Sequence, residues 1–138
     1  AGPQAWEGQR FRMIETKAPK HYRWDDMTAE PLKGSITRRM ITGDSMMIAE
    51  VRLAKGDVVP QHAHHNEQIT YITAGALHFK LGDAQDREVT VHAGEVLVIP
   101  PHVPHSAVAL EDTIDIDVFC PPREDWLSRT DAYLRTER

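Results

Sequence analysis

The feature that most limits the fold of this chain is its punctuation. From residue 35 to residue 120 short apolar runs are cut by Gly43-Asp44, Ala74-Gly75, Gly82-Asp83, His92-Ala93-Gly94 and a proline turn at Pro100-Pro101. Turns about every ten residues, without a sustained helical period, are the pattern of an all-β sandwich or barrel of short strands. The expected strands cover 35–42, 45–55, 68–73, 76–81, 88–91, 95–99 and 113–119, the first two joined as a hairpin at Gly43-Asp44. A length of 138 residues suits a single domain with a real core. It divides into an N-terminal arm over 1–35, a barrel over 36–122 and a short C-terminal helix or tail over 123–138. The arm has Trp6, Phe11, Tyr22 and Trp24 as anchors, and we expect it to pack across a partner subunit. The final helix is expected to bury Trp126, Leu127, Thr130 and Leu134.

Within that frame the stretch 56–75 carries the chemistry. A strand sends every second side chain to one face, so His62 and His64 point together, and Gln68 shares their parity. Two imidazoles at this spacing supply half of a coordination sphere for a transition metal. The third imidazole is expected from His105, which follows the proline turn at the start of another strand. Gln68 offers a neutral carbonyl oxygen, which leaves the positive charge of a bound cation uncompensated. Glu67 competes with it, should a bulge at His65-Asn66 shift the parity by one. His21, His65, His92 and His102 are read as loop or solvent residues, while His78 lies on a strand that could face the cavity. Met40, Met46 and Met47 read as core filler.

Composition removes some functions. A formal net charge of -5 with scattered basic residues argues against a nucleic-acid surface. No stretch has the length of a membrane span. Cys120 is the only cysteine, so an internal disulfide is excluded; nothing signals an oxidising compartment, and localisation stays open with the cytoplasm favoured. The chain begins at Ala1, as it would if an upstream segment had been removed. Residues 113–119 alternate strictly, with Thr113, Asp115, Asp117 and Phe119 on one face and Ile114, Ile116 and Val118 on the other. Such a strand either turns its carboxylates to water or lines a ligand cavity with them.

The two stretches around the histidines resemble the paired motifs of the cupin superfamily, a double-stranded β-helix or jelly-roll barrel with a metal in its mouth. In the first motif Gly56, His62, His64 and Gly75 fall in place, with Gln68 where glutamate is usual. In the second Gly94, Pro100 and His105 fall in place, with His102 and Ala109 replacing a glycine and an asparagine. The run from Asp117 to Trp126 extends the resemblance to small cupins of the pectin-degradation type, which linearise unsaturated uronates. That resemblance implies a divalent nickel, zinc, iron, manganese or cobalt ion on His62, His64, Gln68 and His105, with Asp117, Phe119 and Arg123 as active-site residues. Arg123 is equally readable as a partner of Glu124 or Asp125. Exposed sheet edges in a small barrel point to a homodimer. Two other readings are an iron-dependent dioxygenase on a small substrate and a non-catalytic module binding a small acid or a metal.

Overall fold

The computed structural model describes residues 18–135. Trp6 and Phe11 therefore lie outside the described residues. Ten strands alternate with turns: β1 (Glu30–Pro31), β2 (Thr37–Thr42), β3 (Met47–Leu53), β4 (Val58–His62), β5 (Glu67–Ala74), β6 (Ala76–Leu81), β7 (Arg87–His92), β8 (Val96–Ile99), β9 (His105–Ala109) and β10 (Thr113–Cys120). They form two antiparallel sheets, one of six strands in the order β1-β2-β3-β10-β5-β8 and one of four in the order β4-β9-β6-β7. The chain crosses between the sheets repeatedly, closing an all-β barrel as the punctuation predicts, with the jelly-roll form that the motif resemblance implies. One crossing is fixed by Gly75, whose φ of 85° suits glycine and whose missing Cβ leaves room for the backbone of Asp112 and Thr113. That close approach seats the β5–β6 turn on the start of β10.

The apolar inner faces of both sheets make one core, including Met47, Ala49, Ile72, Leu77, Phe79 and Ile99, all at most 3 % exposed. Strand β10 lies at the centre of the six-stranded sheet, between β3 and β5. Its polar face turns inward: Asp115 and Asp117 are 6 % and 5 % exposed, while Ile114, Ile116 and Val118 face out and are half-buried. The carboxylates therefore do not meet water. Met47 fills the core, but Met46 sits in the β2–β3 turn at 55 % exposure, because the turn takes it out of the strand register.

At the C-terminus the expected helix shrinks to one turn, α1 (Glu124–Leu127), followed by a 3-10 turn over Ala132–Leu134. Trp126 and Leu134 are buried as expected, whereas Leu127 is 41 % exposed and Thr130 is exposed. The helical spacing fails because the chain leaves the helix after one turn and folds back across the barrel mouth. It is held there by ions. Arg38, inside the barrel wall, donates to Asp131 at 2.9 Å and to Glu30 at 2.8 Å, and Arg135 bridges the same two carboxylates. Of the arm's remaining anchors, Trp24 is half-buried and Tyr22 is 49 % exposed.

Candidate metal centre and cavity

Strand β4 ends at His62, and His64 lies in the loop that carries the chain from the four-stranded to the six-stranded sheet. Gln68 is thus not on the same strand as the histidines, and parity cannot relate them across the crossing. It reaches the same point from the opposite sheet, near the start of β5. His105 opens β9 directly opposite His62 in the strand register. The ring centroids of His62 and His105 lie 4.2 Å apart, those of His64 and His105 5.1 Å, and those of His62 and His64 5.6 Å. Glu67 is exposed on the other face of β5, away from this cluster.

Backbone carbonyls fix the tautomers. The Nδ1 atoms of His62, His64 and His105 lie 2.9, 3.0 and 2.9 Å from the carbonyl oxygens of Pro60, Asn66 and Val103. A carbonyl only accepts, so each Nδ1 carries the proton and each Nε2 presents a lone pair. Burial holds all three rings neutral. It lowers the pKa of His62 to about 3, aided by His105, and that of His64 to about 4, aided by the positive charge of Arg123; His105 is lowered by the same cause.

Gln68 donates through Nε2 to the Thr70 hydroxyl at 2.8 Å, which turns its Oε1 toward His64 Nε2 at 3.0 Å. Two acceptors facing each other at that distance stand as neighbouring ligands of one cation do. His105 Nε2 is buried without any hydrogen-bond partner. The three histidines offer ligand atoms within 4.8 Å of one another. Metal bonds of about 2.0–2.2 Å at right angles place neighbouring ligand atoms about 3 Å apart. The donor set, its protonation and its spacing all fit a divalent transition metal.

Behind the cluster lies a cavity of about 50 Å³. A water needs about 10–15 Å³ on this measure, so the space takes only a few water-sized groups. Asp117 and Asp115 line it from β10. Asp117 Oδ1 accepts from Thr70 Oγ1 at 2.7 Å and from Gln68 Nε2 at 3.5 Å. Asp115 Oδ1 has no conventional donor, and its carboxyl abuts that of Asp117. Burial and the neighbouring charge of Asp117 push Asp115 well above the usual carboxylate range. Asp117 is raised less: burial drives it up, but hydrogen bonds from Asp115 and Thr70 favour its charged form. Burial thus pushes both carboxyls toward the protonated form, Asp115 further than Asp117.

Arg123 closes the mouth. It is 1 % exposed, gives two hydrogen bonds to Asp125 at 3.0 and 2.9 Å and a third to the Tyr133 hydroxyl at 2.8 Å, and packs over Phe119 and Trp126. Its Nη1 has no partner. Phe119 is buried edge-on to His64. Tyr133 stacks on His62 with centroids 4.1 Å apart. His78 is held by Thr90 and Glu88 across β6 and β7, outside the cavity lining.

Sequence reasoning passed over Asn66, Thr70 and Tyr133. Asn66, 1 % exposed, accepts from His64 and donates to the Pro121 carbonyl, tying the ligand loop to the chain end. Thr70 was signalled by its parity with Gln68 on β5. Tyr133 carried no signal, because only the fold-back of the tail brings it to His62.

A family profile described as a cupin domain matches residues 49–120. No curated protein matches the chain. Among solved structures, KdgF from Halomonas sp. is 28 % identical with a TM-score of 0.73, over 79 % of this chain and 99 % of that one. An RmlC-like cupin from Shewanella frigidimarina is likewise 28 % identical, with a TM-score of 0.72, over 79 % and 96 % of the two chains. The polyketide cyclase RemF from Streptomyces resistomycificus is 26 % identical with a TM-score of 0.64, over 75 % and 80 %.

Proposed function

The chain belongs to the cupin family, and from that premise we propose that it is a metal-dependent enzyme that opens and isomerises an unsaturated uronate. One observation carries the reading. His62, Gln68 and His105, the buried carboxyl pair of Asp115 and Asp117 and the unpartnered Nη1 of Arg123 all border a single cavity, and His64 converges on the same point beside it. The structural likeness to KdgF and the run from Asp117 to Trp126 support the same substrate class.

His62, His64 and His105 through Nε2, with Gln68 through Oε1, would hold the metal, whose chemistry is Lewis acidity toward the oxygens of the sugar. Asp117 receives the proton of the anomeric hydroxyl as the ring carbon–oxygen bond breaks, its electron pair passing to the ring oxygen. The enol thus released becomes a ketone when a proton returns to carbon, so the reaction is a net isomerisation. Thr70 and Asp115 hold the Asp117 carboxylate in place through its two sides. Arg123 offers Nη1–H to the substrate carboxylate, and Phe119 supplies an apolar wall. A six-carbon acid exceeds the present cavity, so access requires Tyr133 to leave its stack on His62.

The test is a spectroscopic assay. Metal-loaded protein should abolish the ultraviolet absorbance of an unsaturated galacturonate monomer catalytically, and the chelated protein should not. Metal-loaded protein that leaves the sugar untouched and consumes oxygen with another small acid would replace this reading by an oxygenase.

A further inference from the structure

Opening and isomerising the sugar moves two protons, one off the anomeric oxygen and one onto carbon, and Asp117 accounts only for the first. Strand β10 carries a second carboxyl on the same inward face. Asp115 is 6 % exposed and borders the cavity beside Asp117. Their surroundings differ. Asp117 faces Thr70 across the β5 register and accepts from Thr70 Oγ1 at 2.7 Å and from Gln68 Nε2 at 3.5 Å. Asp115 faces Val51 on β3 and Ile72 on β5, both buried and neither with a polar side chain. Its Oδ1 has no hydrogen-bond partner, and the polar group it adjoins is the Asp117 carboxyl.

An acid in that row adds nothing to the packing. Burying a carboxyl without donors costs free energy, and an apolar side chain between Val51 and Ile72 would fill the place without that cost. The donors also divide the pair: those given to Asp117 favour its ionised form, and Asp115 receives none from its row. The contact between the two carboxyls acts in the same sense, favouring the charge on Asp117 and the proton on Asp115. Two adjoining carboxyls in unlike surroundings are the arrangement by which one site supplies both a base and an acid.

We propose that Asp115 is the acid that returns the proton to carbon, a second catalytic residue whose role rests on the uronate reading. As Asp117 takes the proton of the anomeric hydroxyl, the bond from the anomeric carbon to the ring oxygen breaks. Its electron pair stays on that oxygen, which leaves an enolate. The far carbon of the enolate double bond then takes the proton of the Asp115 carboxyl through the electron pair of that bond, and the enolate oxygen closes to a ketone. Asp117 now holds a proton and Asp115 a charge. A proton passing between the two carboxyls across their contact restores both, so nothing is consumed and the sum is an isomerisation. Because Asp115 stands on one wall of the cavity, the new hydrogen arrives on one face of the carbon.

Turnover of an unsaturated galacturonate monomer in deuterium oxide tests this, with metal-loaded wild type beside Asp115→Asn and Asp115→Val. The valine variant matches its buried neighbours should the amide disturb the fold, and unchanged circular dichroism and metal content qualify either one. The wild type should place deuterium at the new methylene in a single configuration, read by proton magnetic resonance early in the reaction. Each variant should still open the ring but release the enol to solvent, giving both configurations equally and slowing the absorbance decay about a hundredfold. A single configuration from either variant overturns the inference and leaves Asp115 as a support for Asp117. A variant that no longer opens the ring assigns Asp115 to the first step and overturns it equally, as does a wild type that scrambles the label. A wild type that leaves the sugar untouched fails the uronate reading, and this inference with it.

Discussion

Replacing Asp117 by asparagine separates chemistry from metal binding in a single variant. Asparagine keeps an Oδ1 that accepts from Thr70 Oγ1, 2.7 Å away in the wild type, so Gln68 keeps its neighbour and the four ligand atoms stay in place. Metal content should therefore be unchanged. Turnover should fall by about 10²–10⁴, the usual contribution of a positioned acid or base. Stability should move the other way, because the variant replaces a buried carboxyl, whose charged form burial disfavours, by a neutral amide. The gain is about 1–2 kcal/mol, the order of the desolvation cost of a buried polar group, which corresponds to a rise of about 3–8 °C in melting temperature. Its pH dependence follows from both carboxyls being raised in the folded state. Groups raised by folding stabilise it below their unfolded pKa and lose that contribution as pH rises through the folded one. The advantage of the variant should thus be small near pH 4 and grow toward neutrality. Assays of absorbance decay, metal content and thermal unfolding at several pH values check all three parts. Activity within tenfold of the wild type would remove Asp117 from the reaction, and lost metal would show that it supports the ligands instead.

Other outcomes follow from the same geometry. Arg38→Met removes one of the two guanidinium partners of buried Asp131, leaving Arg135, and should cost about 1.5–3 kcal/mol, read as a lower urea midpoint. Tyr133→Ala removes the ring stacked on His62 and should speed metal extraction by a chelator several-fold; an unchanged rate would mean that the tail does not cover the site. In chelated protein the ring signals of His62 and His64 should keep their neutral chemical shifts down to about pH 5, since burial lowers their pKa values to about 3 and about 4. Titration near pH 6 in a nuclear magnetic resonance experiment would show that the rings are solvated. Arg123→Lys should raise KM more than it lowers kcat if Nη1 holds the substrate carboxylate, and equal losses would assign Arg123 to the fold alone.

Much of the barrel was legible because strand boundaries are written locally, in glycine turns and period-two runs. Residues 76–81 and 95–99 illustrate this: β6 falls on the expected span, and β8 starts one residue inside it. Which sheet a strand joins is not local. Hence Gln68 could be placed beside His64 by motif spacing, while its arrival from the opposite sheet could not be read from parity. The direction of the β10 carboxylates was open for a related reason, since alternation fixes two faces without saying which is inside. The tail resisted most. Its apolar spacing suggests a helix, but the bridges of Arg38 to Asp131 and of Arg135 to Glu30 join residues about a hundred positions apart, and only the closed barrel brings them together.

The central claim is the metal centre, and metal analysis of the wild type beside His62→Ala and His105→Ala tests it most directly. After dialysis without chelator the wild type should retain one divalent transition metal per chain and both variants should retain almost none, with unchanged circular dichroism. A full complement of metal in either variant would contradict the ligand set, and a wild type that binds none when metal is supplied would contradict the account itself.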